Sequence, residues 1–216
     1  MTSIRLPRRR MIEAALAGAA VFGVPGVLRA AEALPPTPQQ TAGPFYPQSY
    51  PADADNDLVR VAGHAEPAKG TVTRVAGHIL DRNGKPFAGA RVEIWQCDQN
   101  GGYHHVQDAS AGQPLDDNFQ GFGRTVTDAA GGYNFVTIRP VPYPGRTPHI
   151  HFAVAAPGLP PFTTQMYVEG EPLNERDGLL QSVRDPAARA RLIVKLRPAP
   201  ELAQNALTAD FDIVIS

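Results

Sequence analysis

The sequence predicts an all-β protein, an antiparallel β-sandwich of about eight short strands with one short helix and long loops. Short runs rich in β-branched and aromatic residues, separated by turn residues, follow one another from Thr71 to the C-terminus. Only one segment carries the capping residues of a helix. The chain also has 22 Pro and 20 Gly among 216 residues, a share below the roughly 25–30% typical of disordered chains. These observations indicate a turn-rich globular domain.

Eight segments have the composition of strands. They are Thr71–Leu80, Ala90–Cys97, Arg124–Thr127, Tyr133–Ile138, His149–Ala155, Phe162–Val168, Arg191–Leu196 and Leu207–Ile215. Residues 81–84 and 128–132 are turn clusters in which glycine can adopt positive φ. The predicted helix follows Asp185 as its N-cap, with Pro186 at the first helical position and an alanine-rich run after it.

Residues 1–33 are expected to be an export signal of the twin-arginine type. Four arginines among residues 5–10 precede an apolar run over 14–28 and small residues in A-x-A spacing. The run has about 15 residues, fewer than the roughly 20 that span a bilayer. We therefore expect a periplasmic or secreted protein with no membrane attachment once the signal is removed; an uncleaved anchor is the alternative. Residues 34–70 are Pro-rich and aperiodic, which predicts an extended N-terminal arm before the sandwich of residues 71–216.

Charge and cysteine content exclude several function classes. The net charge is −1 and the isoelectric point about 6.6, whereas nucleic-acid-binding domains usually exceed about 9. We therefore expect no nucleic-acid partner. Cys97 is the single cysteine, which excludes an internal disulfide framework and a multi-cysteine zinc or iron–sulfur site.

The first candidate metal ligands are the two histidines of His149-Ile150-His151, inside a predicted strand. Side chains two apart on a strand share a face, so both imidazoles can reach one point. From these two residues alone, a metal site and a merely polar strand face both remain open. A 2-His-1-carboxylate iron site would need an acidic residue nearby, but the next one is Glu169.

Tyrosines are the ligand-type residues in this neighbourhood. Tyr143 stands between prolines six residues before His149, and Tyr103 closes a run that begins at Trp95-Gln96. With these pieces the chain resembles the intradiol ring-cleavage dioxygenases, and it is most similar to the iron-bearing subunit of protocatechuate 3,4-dioxygenase. Further matching pieces are Asn118-Phe119, Gly123-Arg124, Tyr133, Phe135, Thr137-Ile138, Pro140, Arg146, Phe152 and Thr164-Gln165-Met166-Tyr167. The similarity runs from about Thr41 to the C-terminus.

The resemblance implies that Tyr103, Tyr143, His149 and His151 bind one non-haem Fe(III) per chain. Holding one phenol ionised at pH 7 costs about 4 kcal/mol, and a trivalent cation with hard oxygen donors offsets that cost. An Fe(III) ion with two phenolates and one hydroxide also has no net charge, which suits a poorly solvated site. The family gives Tyr143 the role of the ligand that departs and takes a substrate proton, while Tyr103 stays bound.

The resemblance also implies the reaction and further site residues. Both atoms of O2 enter a catechol-type aromatic diol, and the ring opens between its two hydroxylated carbons to a cis,cis-muconate-type product. Arg146 matches an arginine that stabilises negative charge on the bound ring, and Gln165 matches a polar residue near the same position; a surface salt bridge and a strand hydrogen bond are their structural alternatives. Thr41 and Gly43 lie in a T-A-G-P loop similar to one that borders the substrate pocket in the family.

Two departures limit what the resemblance implies about the substrate. Only Pro144 and Gly145 separate Tyr143 from Arg146, a shorter stretch than in the protocatechuate enzyme, and Phe45 stands where the similar loop often carries tyrosine. We therefore carry over the iron and the reaction class but not the ring substituents. Because one chain has both the iron motif and the T-A-G-P loop, we expect a homo-oligomer.

Two rival functions remain at this point. One is an exported, metal-free, prealbumin-like β-sandwich binding module, supported by turns that are common in non-catalytic domains of this kind. The other is a zinc or copper enzyme built on the same pair of histidines. The colour and the metal content of the purified protein separate both from a ferric dioxygenase.

Overall fold

The computed structural model describes residues 32–51, 53–105 and 114–216. The predicted export signal, apart from its last two residues, lies outside the described residues. No helix within those ranges is long and apolar enough to cross a bilayer.

The described chain forms two β-sheets. The strands in chain order are β1 Val72–Asp81, β2 Arg91–Trp95, β3 Phe122–Val126, β4 Gly132–Ile138, β5 His149–Ala155, β6 Phe162–Val168, β7 Ile193–Val194, β8 Arg197–Pro198, β9 Leu207–Asp210 and β10 Ile213–Ile215. A 3₁₀ turn covers Pro172–Glu175, and two five-residue helices follow, α1 Gly178–Ser182 and α2 Pro186–Ala190. The first sheet contains β4, β1, β9, β10 and β8, and the second runs β3-β2-β5-β6-β7.

The predicted all-β sandwich class is confirmed, but details differ, among them β8, which lies outside the eight predicted strands. The sheets are mixed instead of purely antiparallel, because β9 and β10 run parallel to β1, and β7 runs parallel to β6. The predicted strand 207–215 is two strands. The helix predicted after Asp185 is present as α2, but α1 was not predicted.

The break between β9 and β10 lies at Phe211, whose backbone bonds to two other strands. Its amide donates to Ala76 O at 2.8 Å, and its carbonyl accepts the buried hydroxyl of Tyr133. Gly77 makes this crossing possible, because a Cβ there would lie 2.1 Å from Phe211 O.

The core lies between the two sheets. Ile150, Phe152 and Val154 of β5 face inward and are buried, and the Phe152 ring lies 6.0 Å from Tyr133 of the opposite sheet. The alternation of β5 therefore directs His149 and His151 to the outer face of the second sheet. Residues 34–41 lie along the sheets, where Thr37 N donates to Val214 O and Gln40 N donates to Thr163 O.

Candidate metal centre

Strand register sets the floor of the site on the outer face of the second sheet. Trp95 of β2 lies opposite His151 of β5, which lies opposite Gln165 of β6. Two residues earlier along β5, His149 lies opposite Tyr167 of β6. The indole of Trp95 stacks on the His151 ring at 4.9 Å with an interplanar angle of 7°, so Trp95 is a wall of the site.

Two loops bring the tyrosines over this floor. The turn before Tyr103 is held by Asp98, whose Oδ1 accepts from Asn100 N at 2.8 Å and Gly102 N at 3.0 Å. Tyr143 begins a tight turn in which Arg146 N donates to Tyr143 O at 2.9 Å. Proline followed by a glycine at φ 82° suits a type II turn. This turn places the Tyr143 and Arg146 side chains next to each other.

The four predicted metal ligands converge. The Nε2 atoms of His149 and His151 are 3.1 Å apart. Ring centroids are 4.7 Å apart for His149 and His151, 5.5 Å for His149 and Tyr143, 5.5 Å for Tyr143 and Tyr103, and 6.3 Å for Tyr103 and His151. The four rings therefore surround one point.

Both histidines are held in the neutral form, in which a ring nitrogen can bind a metal. Thr147 O lies 2.6 Å from His149 Nδ1, so Nδ1 is the protonated nitrogen and Nε2 carries the free lone pair. Burial, together with the Arg146 guanidinium, lowers the pKa of His149 to about 4. Burial and the neighbouring His149 lower the pKa of His151 well below its ordinary value.

Both tyrosines resist ionisation in the protein alone. Burial raises the pKa of Tyr103 well above its ordinary value, with Cys97 and Tyr143 adding to the rise. Burial also raises the pKa of Tyr143, while Arg146 and a hydrogen bond from the Tyr103 hydroxyl oppose that rise. Tyr103 is 3% exposed and stacks on Phe45 at 4.5 Å, whereas Tyr143 is only half-buried.

Arg146 is fixed by several partners at once. Its Nε donates to Asp177 Oδ2 at 2.8 Å, its Nη2 to Gln165 Oε1 at 2.6 Å, and its Nη1 to the Tyr143 hydroxyl at 3.3 Å. The side chain is 15% exposed and that of Asp177 is fully buried. Gln165 also donates to Thr41 O at 3.1 Å, so it lies behind Arg146 and ties it to the T-A-G-P loop.

The T-A-G-P loop lies against the histidines. A Cβ on Gly43 would lie 3.4 Å from His151 Cε1, and Thr41 Oγ1 accepts from Gly43 N at 3.1 Å. Thr41 and Gly43, the predicted substrate-binding residues, therefore border the candidate centre.

Sequence reasoning missed Asp177 and Tyr167. Asp177 caps α1 by accepting from Leu179 N and Leu180 N; burial acts to raise its pKa, but the backbone bonds and Arg146 outweigh burial and hold that pKa below its ordinary value. The Tyr167 hydroxyl donates to Gln165 Oε1 at 3.0 Å. An aspartate before a glycine signals only a cap, so nothing local pointed to Arg146, 31 positions away.

The donor set also limits which metals fit. Within the described ranges, no group of three or more His, Cys, Asp or Glu side chains is placed to hold a metal ion. The phenols of Tyr103 and Tyr143 are the oxygen donors that lie beside the two histidines. Two histidine nitrogens with two phenolic oxygens favour a hard, highly charged cation, so the residues present fit a ferric ion.

Comparison with known proteins gives one consistent family. A family model described as "Dioxygenase" matches residues 41–216. The protocatechuate 3,4-dioxygenase beta chain of Burkholderia cepacia is 38% identical over 180 residues, covering 80% of this chain and 76% of the relative. Hydroxyquinol 1,2-dioxygenase of Corynebacterium glutamicum is 34% identical over 162 residues, covering 66% of this chain and 50% of the relative.

A solved structure agrees with these relatives. The dioxygenase domain of a dioxygenase carbohydrate-binding protein fusion from Streptomyces sp. SirexAA-E is 32% identical, with a TM-score of 0.62, and the match covers 84% of this chain and 99% of that domain. Together with the family match over most of the sequence, this places the chain in the intradiol ring-cleavage dioxygenase family.

Proposed function

We propose that this chain is a ferric intradiol dioxygenase that inserts both atoms of O2 into a catechol-type diol and cleaves the ring between the hydroxylated carbons. Tyr103, Tyr143, His149 and His151 would hold one Fe(III). The observation that carries the proposal is the convergence of these four rings, with the two histidine Nε2 atoms 3.1 Å apart. At this separation both nitrogens would be able to bind the same metal ion.

A bound metal would offset the free energy needed to ionise the two phenols. The buried phenol of Tyr103 and the half-buried phenol of Tyr143 lie beside two neutral imidazoles, and ionising each phenol at pH 7 costs about 4 kcal/mol before burial is counted. The ferric ion would supply the positive charge that ionises the phenols and the diol, and that draws electron density from the ring toward reaction with O2.

The two tyrosines suit different roles. Tyr143 borders a cavity of about 130 Å³ that Arg146 and Thr147 also line, so its phenolic oxygen has room to move away and take a proton from the diol. Tyr103 is buried and stacked on Phe45, so it stays in place.

Arg146 is positioned to stabilise negative charge beside Tyr143. Asp177, Gln165 and Tyr143 fix the direction of its N–H groups before substrate arrives, which is the condition for electrostatic preorganisation. We propose that Arg146 contacts the ionised substrate. As placed, Gln165 acts through Arg146 and through the Thr41 carbonyl.

Oxygen uptake tests this function most directly. The purified protein should consume O2 with at least one of catechol, protocatechuate, hydroxyquinol and chlorocatechols, and the product should be ring-opened, with a new carboxyl group at each carbon of the cleaved bond. His149→Ala should abolish uptake and iron binding, whereas His78→Ala, at an exposed histidine paired with Asp212, should change neither. Zinc or copper in place of iron would favour the rival metal enzyme, and a metal-free protein that binds diols unchanged would favour the binding module.

We also propose export and self-association. The twin-arginine signal of residues 1–33 should direct a folded reporter out of the cytoplasm, and a variant with Arg9 and Arg10 replaced by lysine should retain it inside. Light scattering of the mature protein should give a mass that is a multiple of the chain mass; a monomeric mass contradicts the expected homo-oligomer.

A further inference from the structure

A buried carboxylate lies on the outer face of the second sheet, close to the candidate metal centre. Glu93 of β2 is 3% exposed, and it lies on the same face as Trp95, two residues further along the strand. Val92 and Ile94 lie on the opposite face, in the core between the sheets. A carboxylate is rarely buried so deeply unless it is paired and hydrogen-bonded, so the partners of Glu93 call for an explanation.

Tyr46 is the hydrogen-bond donor to this carboxylate. Its hydroxyl donates to Glu93 Oε2 at 2.7 Å. The other carboxylate oxygen lies 3.0 Å from Nε of the exposed Arg91 but accepts no hydrogen bond from a described residue. Because Tyr46 gives its single proton to Glu93, the Tyr50 hydroxyl, 3.0 Å away, must donate to Tyr46. A hydrogen bond to a charged acceptor is stronger than one between neutral groups, so the bond to Glu93 is the firmer of the two.

This bond holds one end of the T-A-G-P loop and the residues that follow it. Within the described part of the chain, it is the one hydrogen bond that joins residues 42–50 to a strand of either sheet. At the other end of the loop, Thr41 O accepts from Gln165. The loop is thus fixed at two points, on β6 through Thr41 and on β2 through Tyr46.

The side chains held in this way pack on the candidate centre. The Tyr46 ring packs edge-on against Trp95, with centroids 5.0 Å apart and an interplanar angle of 85°, and Trp95 in turn stacks on His151. The neighbouring Phe45 stacks on Tyr103. The end of the loop that Glu93 holds therefore packs toward a histidine and a tyrosine of the centre.

We propose that Glu93 is a positioning residue for the candidate centre, and that it acts through Tyr46 by holding residues 43–46 against the centre. Thr41 and Gly43 border the place where the diol is proposed to bind, so a loop that is no longer held there should bind the diol more weakly. This effect on the reaction rests on the proposed function. The attachment of the loop requires no metal, so it can be measured separately.

Acrylamide quenching of tryptophan emission measures the attachment of the loop. Trp95 is the single tryptophan of the sequence, and Phe45 and Tyr46 of the loop pack against it. Tyr46→Phe removes the hydroxyl and keeps the ring, and Glu93→Leu removes the acceptor; each should raise the quenching constant at least about twofold, because the loop opens more often. Glu93→Gln keeps an accepting oxygen for Tyr46 and should be quenched like the unchanged protein.

The kinetic constants separate positioning from a merely structural role. With the most active of the diols named for the oxygen-uptake test, Tyr46→Phe and Glu93→Leu should raise KM at least about fivefold while kcat stays within about twofold, as expected when only binding is lost. Their iron content should not change. Tyr50→Phe is the matched control, because it removes the other hydroxyl bonded to Tyr46 and leaves the bond to Glu93; its quenching and its KM should both be unchanged.

The outcomes distinguish failure of this proposal from failure of the proposed function. Unchanged quenching in Tyr46→Phe would overturn the role of Glu93, as would raised quenching with unchanged KM. Tyr46→Phe alters a single hydroxyl group, so it decides the question even if Glu93→Leu fails to fold. If the purified protein lacks iron and consumes no O2, but the variants still show the expected quenching, the attachment of the loop by Glu93 is supported and the ferric enzyme is contradicted.

Discussion

Replacing Asp177 with asparagine should reveal what holds Arg146 in place. The Asp177 carboxylate caps α1 through Leu179 N and Leu180 N, and it accepts from Arg146 Nε and Thr147 N with its other oxygen. Asparagine caps helices as well as aspartate does. The substitution therefore removes the charge opposite Arg146 while keeping the cap.

The expected loss of stability is about 3 kcal/mol. Removing one partner of a buried ion pair costs about 3–5 kcal/mol. An asparagine whose oxygen keeps the cap turns its NH2 group toward the Arg146 Nε and Thr147 N donors, so it accepts nothing from them. The lower end of the range applies because Arg146 keeps its Gln165 and Tyr143 bonds and some contact with solvent. For a fold of this size, about 3 kcal/mol corresponds to a fall in Tm of roughly 6–12 °C.

Thermal unfolding measures this effect against a matched control. Asp185 caps α2, a helix of the same length, with no arginine on its carboxylate among the described contacts, so Asp185→Asn should change Tm by little. The pKa of Asp177 is held below its ordinary 3.8, so its stabilisation is full above about pH 4 and is lost as the pH falls through the folded value. The difference in Tm between Asp177→Asn and Asp185→Asn should therefore become smaller as the pH falls through that value. Equal Tm values for both variants at neutral pH would show that the Asp177 charge does not hold Arg146.

Three further predictions concern single residues. Tyr133→Phe leaves the buried Phe211 carbonyl without its hydroxyl donor and should lower the free energy of unfolding by about 1–3 kcal/mol, measured in urea; no change would contradict the bond. Gly77→Ala places a Cβ against backbone, so it should yield a strongly destabilised or unfolded chain by circular dichroism. A lysine side chain cannot contact all the partners of Arg146 at once, so Arg146→Lys should lower kcat about 10²–10³-fold with iron content unchanged. A fall in iron content alone would contradict the role of Arg146 in stabilising negative charge on the substrate.

The parts of the fold that follow local periodicity were predictable. Alternation along β5 predicted that His149 and His151 share a face, as the structure has it; in the structure the same alternation buries Ile150 and Phe152 in the core. The helix α2 was predicted from Asp185 and Pro186. The five-residue helix α1 begins at a glycine, and the break at Phe211 depends on Tyr133 and Ala76 from distant strands, so local patterns did not indicate either.

The site was predictable only in part. The pair of histidines was visible from spacing, but Tyr103 and Tyr143 were tied to it by family resemblance, because the loops that carry them converge only in three dimensions. Asp177 lies 31 positions from Arg146, and the register that sets Trp95 beside His151 joins β2 to β5. Such contacts depend on topology, which single-sequence patterns do not encode.

Resonance Raman spectroscopy of the purified protein, with iron measured on the same sample, examines the proposed tyrosine ligands themselves. We expect one ferric ion per chain and vibrations of two distinct tyrosinates, one of which disappears in Tyr103→Phe and the other in Tyr143→Phe. Bound iron without tyrosinate vibrations, or a spectrum unchanged in both variants, would contradict their role as ligands.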